Sequence, residues 1–238
     1  MKAAYLIVLL FSIALGTAKA QEFDFNLDQG LDSEASYLQE SVELMIIREQ
    51  SRAESREMKL NALSNIEGAI KRGIISGEVL SSLEYLGLEG TARRTVHQNP
   101  MGYPDVRSKA AVYLGELGTP EAQNVLIRMA KAEFETTVLT QVVTSLKKIG
   151  INENQETVKA ITTILNRFDL LSPDNLLALS GIEAYEAFAA QNGWKLDHAS
   201  VAVISHIAEG RYHGTIRQRA RTLLTQLRTY HRNTASES

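Results

Sequence analysis

Five histidines, His97, His198, His206, His213 and His231, are the residues whose side chains could most readily bind metal or move protons. Their spacing serves neither purpose. No two stand at i, i+4, and no H-E-x-x-H occurs. His206 and His213 are seven apart, with Gly210 and Gly214 interrupting any shared helix face. The chain has no cysteine, which excludes a disulfide framework, a thiolate metal site and a lipid-modified cysteine. No P-loop, G-x-G-x-x-G or G-x-S-x-G is present. GIISG, Gly73 to Gly77, has the letters of a nucleophile elbow in the wrong spacing and reads as a helix-ending turn, with Ser76 or Gly77 near the next N-cap. Glu183 and Glu186 are paired acids on one helix, with nothing to supply a second carboxylate across a cleft. The expectation is no catalytic residue, no metal site and no cofactor.

Recognition chemistry is better represented. EGTARRTVHQNPMGYPD, Glu89 to Asp105, combines Arg93, Arg94, His97, Met101 and Tyr103. That mixture of cations and aromatics suits a contact with a partner, on a connection longer than helical arrays usually carry. From Arg211 to Ser236 there are six arginines (Arg211, Arg217, Arg219, Arg221, Arg228 and Arg232) and no acid. Guanidinium groups suit bidentate contact with carboxylate or phosphate. Arg93, Arg94, His97, Tyr103, Arg211, Arg217, Arg219, Arg221 and Arg228 are therefore the candidate partner-binding residues.

The elements that must position these residues repeat. VRSKAAVYLGELGTPEAQNVLIRMAKAE, Val106 to Glu133, reads as a helical hairpin. Val106, Ala110, Leu114 and Leu117 share one helical face; Gly118 ends the helix, Thr119 caps the next, and Pro120 sits at its first position. VLTQVVTSLKKIG from Val138 matches the first helix at an offset of 32. LALSGIEAYEAFA from Leu177 follows at 39, and IRQRARTLLTQL from Ile216 at another 39. MKLNALSNIEGA from Met58 is a weaker copy. Companion helices fall at Glu78–Leu88, Glu121–Lys131, Gln155–Phe168 and His198–Glu209, with Ser172-Pro173 repeating the cap-plus-proline start. EYLGLEG at Glu84 resembles VYLGELG at Val112, which leaves open which helix of a hairpin it belongs to. A period of 32 to 39 residues, each a hairpin unable to bury its own face, predicts an all-α solenoid of about five hairpins.

The run from Asp105 to Ala122, D-V-R-x-x-A-A-x-x-L-G-x-L-G-x-P-E-A, resembles HEAT repeats, particularly the short type of phycobilin-lyase-like proteins. The resemblance implies that Asp105 and Arg107 belong to a structural ladder between neighbouring repeats. Arg217 matches the ladder arginine, whereas Leu139 and Ala178 interrupt it. HEAT-like scaffolds also carry enzymes, including bilin lyases and alkyl-base glycosylases. The latter need a positive concave face, a catalytic acid and stacking aromatics; this chain is acidic, with one tryptophan, Trp194, in a turn.

The chain opens MKAAYLIVLLFSIALGTAKA, in which a basic start, an apolar stretch and Ala18-Lys19-Ala20 form a secretory signal peptide over residues 1–20. Its apolar run is shorter than the ~20 residues a spanning helix needs. Removing Lys2 and Lys19 from 25 basic residues leaves 23 against 28 acids. A mature charge near −5 does not suit a general nucleic-acid binder. Residues 21–32 read as a flexible acidic tail, 33–230 as the repeat domain with a loop insertion at 89–105, and 231–238 as a disordered tail. The function expected is an exported, non-enzymatic protein-binding scaffold, periplasmic or extracellular, with no membrane span after cleavage. Its partner would be another protein or itself, or an anionic envelope polymer. The alternative is a structural component assembling through its acidic N-terminal and arginine-rich C-terminal ends. An enzyme of the lyase-like type ranks below both.

Overall fold

A computed structural model describes residues 27–89, 102–171 and 173–236, and among these residues there is no strand. Ten α-helices follow one another: α1 (Leu27–Arg52), α2 (Arg56–Lys71), α3 (Gly77–Gly87), α4 (Pro104–Leu117), α5 (Pro120–Ala132), α6 (Thr136–Ile149), α7 (Glu156–Leu171), α8 (Asn175–Gln191), α9 (His198–Glu209) and α10 (Gly214–Ser236). A short 3₁₀ turn, Glu153–Gln155, precedes α7. The chain divides into two compact units, Met1–Ser41 and Val42–Ser238. The described part of the first is the N-terminal portion of α1.

Local chemistry sets the helix ends. Ser76, Thr119, Asp174 and Asp197 each accept a hydrogen bond from the backbone N–H three residues on, capping α3, α5, α8 and α9. Gly118 and Gly150, at φ 67° and 73°, end α4 and α6 in the left-handed conformation that a side chain would oppose. The start of α8 is a correction: Asp174, not Ser172, caps it, because the aspartate carboxylate reaches Leu177 N–H at 2.9 Å.

In the second unit the helices pack in two rows. Each even-numbered helix lies against the next even one, from α2 to α10, and each odd one against the next odd one, from α3 to α9. Within hairpins, α3 packs on α4, α5 on α6, α7 on α8 and α9 on α10. The stretch EYLGLEG therefore begins in an odd-row helix, not an even one. The predicted stripes form the core between the rows: Val106, Ala110, Leu114, Val138, Val142, Leu146, Ile182, Tyr185, Phe188, Ile216 and Ala220 are all buried. Each large apolar side chain so removed from water contributes about 1.5–3 kcal/mol. At α2 the expected Ala62, Leu63, Ile66 and Ala69 are buried, but Met58 is exposed and Lys59 is buried beside it.

α4 and α6 approach closely because Gly115 lacks a side chain. A Cβ there would lie 2.8 Å from the side chain of Ser145. Polar pairs lace the outer surface of the even row. Arg56 binds Asp105 at 2.6 Å, Tyr113 donates to Glu67 at 2.9 Å, and Lys148 pairs with Glu116. Lys147 binds Glu183 at 2.7 Å and Arg219 binds Glu186 at 2.9 Å. Exposed pairs of this kind contribute about 0–1 kcal/mol each.

Three boundaries differ from expectation. α1 begins at Leu27, so residues 27–32 are helical rather than part of the flexible tail. α10 runs to Ser236, because no glycine or proline follows Leu227 to stop it. Pro104 and Asp105 belong to α4 rather than to the preceding connection. The signal peptide at 1–20 and the tail at 21–26 lie outside the described residues, and no described helix is long and apolar enough to cross a membrane.

Candidate interaction surfaces

The fourth residues of the even-numbered helices are Lys59, Arg107, Leu139, Ala178 and Arg217 in turn. Arg107 shows what the position does. Its Nε–H donates to Glu133 Oε2 at 2.6 Å and an Nη2–H to Oε1 at 3.3 Å, with both side chains 4% exposed. Glu133 follows α5 directly and also accepts the N–H groups of Phe134 and Glu135 at 2.8 and 2.9 Å. Buried charges are tolerated when paired and saturated in this way. Lys59 pairs likewise with Glu89, just beyond α3, and lies 5.7 Å from the Tyr85 ring centre. At Leu139 and Ala178 the position is buried and apolar.

Sequence reasoning found Arg107 and missed Lys59, Glu89 and Glu133. A signal was present: a glutamate stands one or two residues beyond each of α1, α3 and α5, as Glu54, Glu89 and Glu133. Asp105 binds Arg56 of the preceding even helix and Arg107 binds Glu133 of the following turn, so each reaches a neighbouring repeat. Burial pushes the Asp105 carboxyl up, but hydrogen bonding and charge from Arg56 outweigh this and hold it below the usual range.

Of the expected partner-binding residues, Arg93, Arg94 and His97 lie outside the described residues. Tyr103 is half-buried at the N-terminus of α4 and donates its hydroxyl to the Glu54 carbonyl at 3.4 Å. Arg211, Arg221 and Arg228 are exposed, and Arg219 is engaged by Glu186. Arg217 is half-buried, and its Nε has no hydrogen-bond partner among the described residues. Tyr103 and the arginines thus belong to the second and fifth hairpins and do not form one site.

Catalytic chemistry finds little support in the geometry. Glu183 and Glu186 are each held by a cation of a neighbouring helix rather than by each other. Tyr185 is fully buried, its hydroxyl 2.8 Å from that of Thr162, which lies 2.9 Å from Ser200. Burial raises its pKa well above the ordinary phenol value, so it stays neutral. Among the described residues no three His, Asp or Glu side chains gather to hold a metal ion.

An open cavity of about 460 Å³ lies between the 3₁₀ turn and the end of α8. Asn152, Asn154, Gln155, Gln191 and Asn192 line it together with Ile151, Phe188 and one carboxylate, Glu153. Asn154 and Gln155 hold left-handed backbone at φ 51° and 61°, which glutamine adopts with strain. Amides of this kind can bond a neutral polar group; they supply neither acid nor base. In comparisons with known proteins, the chain matches no family model and no curated protein is similar to it.

Proposed function

We propose that the two-row stack is an α-solenoid of HEAT-like repeats that acts as a non-enzymatic scaffold for another protein, exported by the signal peptide read in residues 1–20. The observation carrying this reading is the contrast between its interior and its last helix. Lys59 and Arg107 are paired with Glu89 and Glu133, and Leu139 and Ala178 are buried and apolar, whereas α10 carries Arg217, Arg221 and Arg228 with no acid on the same helix. A terminal repeat needs a polar outer face, but capping alone does not call for charge of one sign. The resemblance of residues 105–133 to HEAT repeats supports the reading, as does the stacking of each even helix on the next. Recognition would run along the arginine-bearing end and the residues 89–105 connection, with Arg93, Arg94, His97 and Tyr103 as its contacts.

The test is crosslinking capture of the protein from the envelope fraction of its own cells, with identification of crosslinked sites. A reproducible foreign partner attached near α10 or near residues 89–105 is the expected outcome. Capture of nothing but small molecules would overturn the scaffold reading.

A further inference from the structure

The open cavity between the 3₁₀ turn and the end of α8, about 460 Å³, has the volume of a small-ligand site. Its turn is held in place from behind. Gln123, buried on α5, donates from its side-chain amide to the Ile151 carbonyl at 3.0 Å and to the Thr157 hydroxyl at 2.6 Å. Thr157 donates in turn to the Ile151 carbonyl at 2.7 Å. Asn152 accepts the Val158 N–H at 3.2 Å, and the Asn192 amide donates to the Lys195 carbonyl at 3.3 Å. These two amides are engaged in fixing the walls.

Asn154, Gln155 and Gln191 are different. Each is exposed, and no hydrogen bond engages its side chain among the described residues. Each therefore offers both N–H donors and a carbonyl acceptor to the cavity. Asn154 and Gln155 also hold successive left-handed backbone, at φ 51° and 61°, which glycine would adopt without strain. Amide side chains kept at two such positions point to a use for the amides.

The lining selects among ligands. Phe188 is its one aromatic residue and is 1% exposed, so no ring face is open for stacking on a sugar. A side-chain amide matches the N–H and C=O of a peptide chain and can bond both. Glu153 is exposed and has no ion pair among the described residues, so it adds one negative charge. We propose that the cavity receives an extended peptide segment of a partner protein. Asn154, Gln155 and Gln191 bond its main chain, and a lysine or arginine of the segment lies beside Glu153. This inference deepens the scaffold reading and rests on it. It places the contact at the C-terminal ends of α6 and α8, whereas the 89–105 connection leads into the N-terminus of α4.

NMR titration of the full chain, followed on its asparagine and glutamine side-chain amide signals, tests the proposal. The probes are a capped tetrapeptide of three alanines and one lysine, the same peptide with glutamate for lysine, and the neutral sugar maltotriose. Saturable shifts of the Asn154, Gln155 and Gln191 signals are expected with the lysine peptide. The glutamate peptide should bind at least about tenfold more weakly through like charge at Glu153, and maltotriose should shift nothing. Asn154→Gly with Gln155→Gly removes two amides where glycine suits the backbone. That double variant should unfold in urea near wild type and bind the lysine peptide at least about tenfold more weakly. Gln191→Met, at the exposed last residue of α8, should also weaken binding and does not touch the turn. No saturable shift with the lysine peptide, equal affinity for the two peptides, shifts with maltotriose, or wild-type binding by either variant overturns the proposal. None of these results would touch a partner captured near α10 or residues 89–105. A saturable peptide site in a protein that captures no partner would instead overturn the scaffold reading.

Discussion

At the second-to-third hairpin junction the fourth residue of the even helix is a buried arginine bonded to Glu133; at the next two junctions the same position is Leu139 and Ala178. The three serve one geometric purpose with different physics. A buried ion pair returns little net stability over an apolar pair of the same volume, because desolvation offsets the attraction. It is unforgiving when halved. The apolar junction gains from every carbon it buries and depends little on any single partner. The comparison teaches that charge at the junction fixes which turn meets which helix, and that apolar burial supplies the free energy.

The sharpest way to break the comparison is to remove one half of the pair. Glu133→Ala leaves Arg107 charged and uncompensated and should lower urea-unfolding stability by about 4 kcal/mol. Replacing both, as Arg107→Met with Glu133→Leu, should stay within about 1 kcal/mol of wild type. A double variant as unstable as Glu133→Ala would refute the distinction. Leu139→Ala, at the apolar counterpart, should lose about 3 kcal/mol as transfer and cavity terms add. Gly115→Val tests the approach of α4 to α6 and should lose about 2 kcal/mol, since Ser145 stands where the new side chain must go. Lys147→Ala removes a half-exposed partner of Glu183 and should change stability by less than about 1 kcal/mol.

A pH series sharpens the outer face of the same row. Burial, and then the hydrogen bond to Glu67, raise the pKa of Tyr113 from 10.0 to about 12. A raised folded-state pKa means that the folded chain keeps its proton longer than the unfolded chain. Stability from this group is full below pH 10 and declines as pH rises toward about 12. Tyr113→Phe should flatten that part of the curve. Asp105 has the opposite sign: its lowered folded pKa gives stability that is lost as pH falls through it. Arg56→Gln should therefore shift acid unfolding to higher pH.

Most of the helices could be read from the sequence because their apolar residues recur at helical spacing and their ends carry Ser76, Thr119, Gly118 and Gly150 in the roles those residue types favour. The junction pairs could not. Glu133 sits in a turn, outside any period, and its partner is 26 residues away. Lys59 occupies a place in an apolar stripe where periodicity favours Met58, and its burial follows from the partner Glu89 supplies. Arg217 was legible as a charge and as the match of Arg107. That its Nε is buried without a hydrogen-bond partner among the described residues is a matter of packing that spacing does not show.

Leu227 is the last buried residue described on α10, yet the helix continues to Ser236. Beyond Leu227 no buried side chain is described on this helix, and Arg228 and Arg232 lie exposed within it. Opening this segment exposes little core, so its amide hydrogens should exchange with solvent earlier than those of α4 or α6. A protease that cuts after arginine would find a substrate there. Trimming at Arg228 would shorten the cationic surface while leaving Arg217 in place.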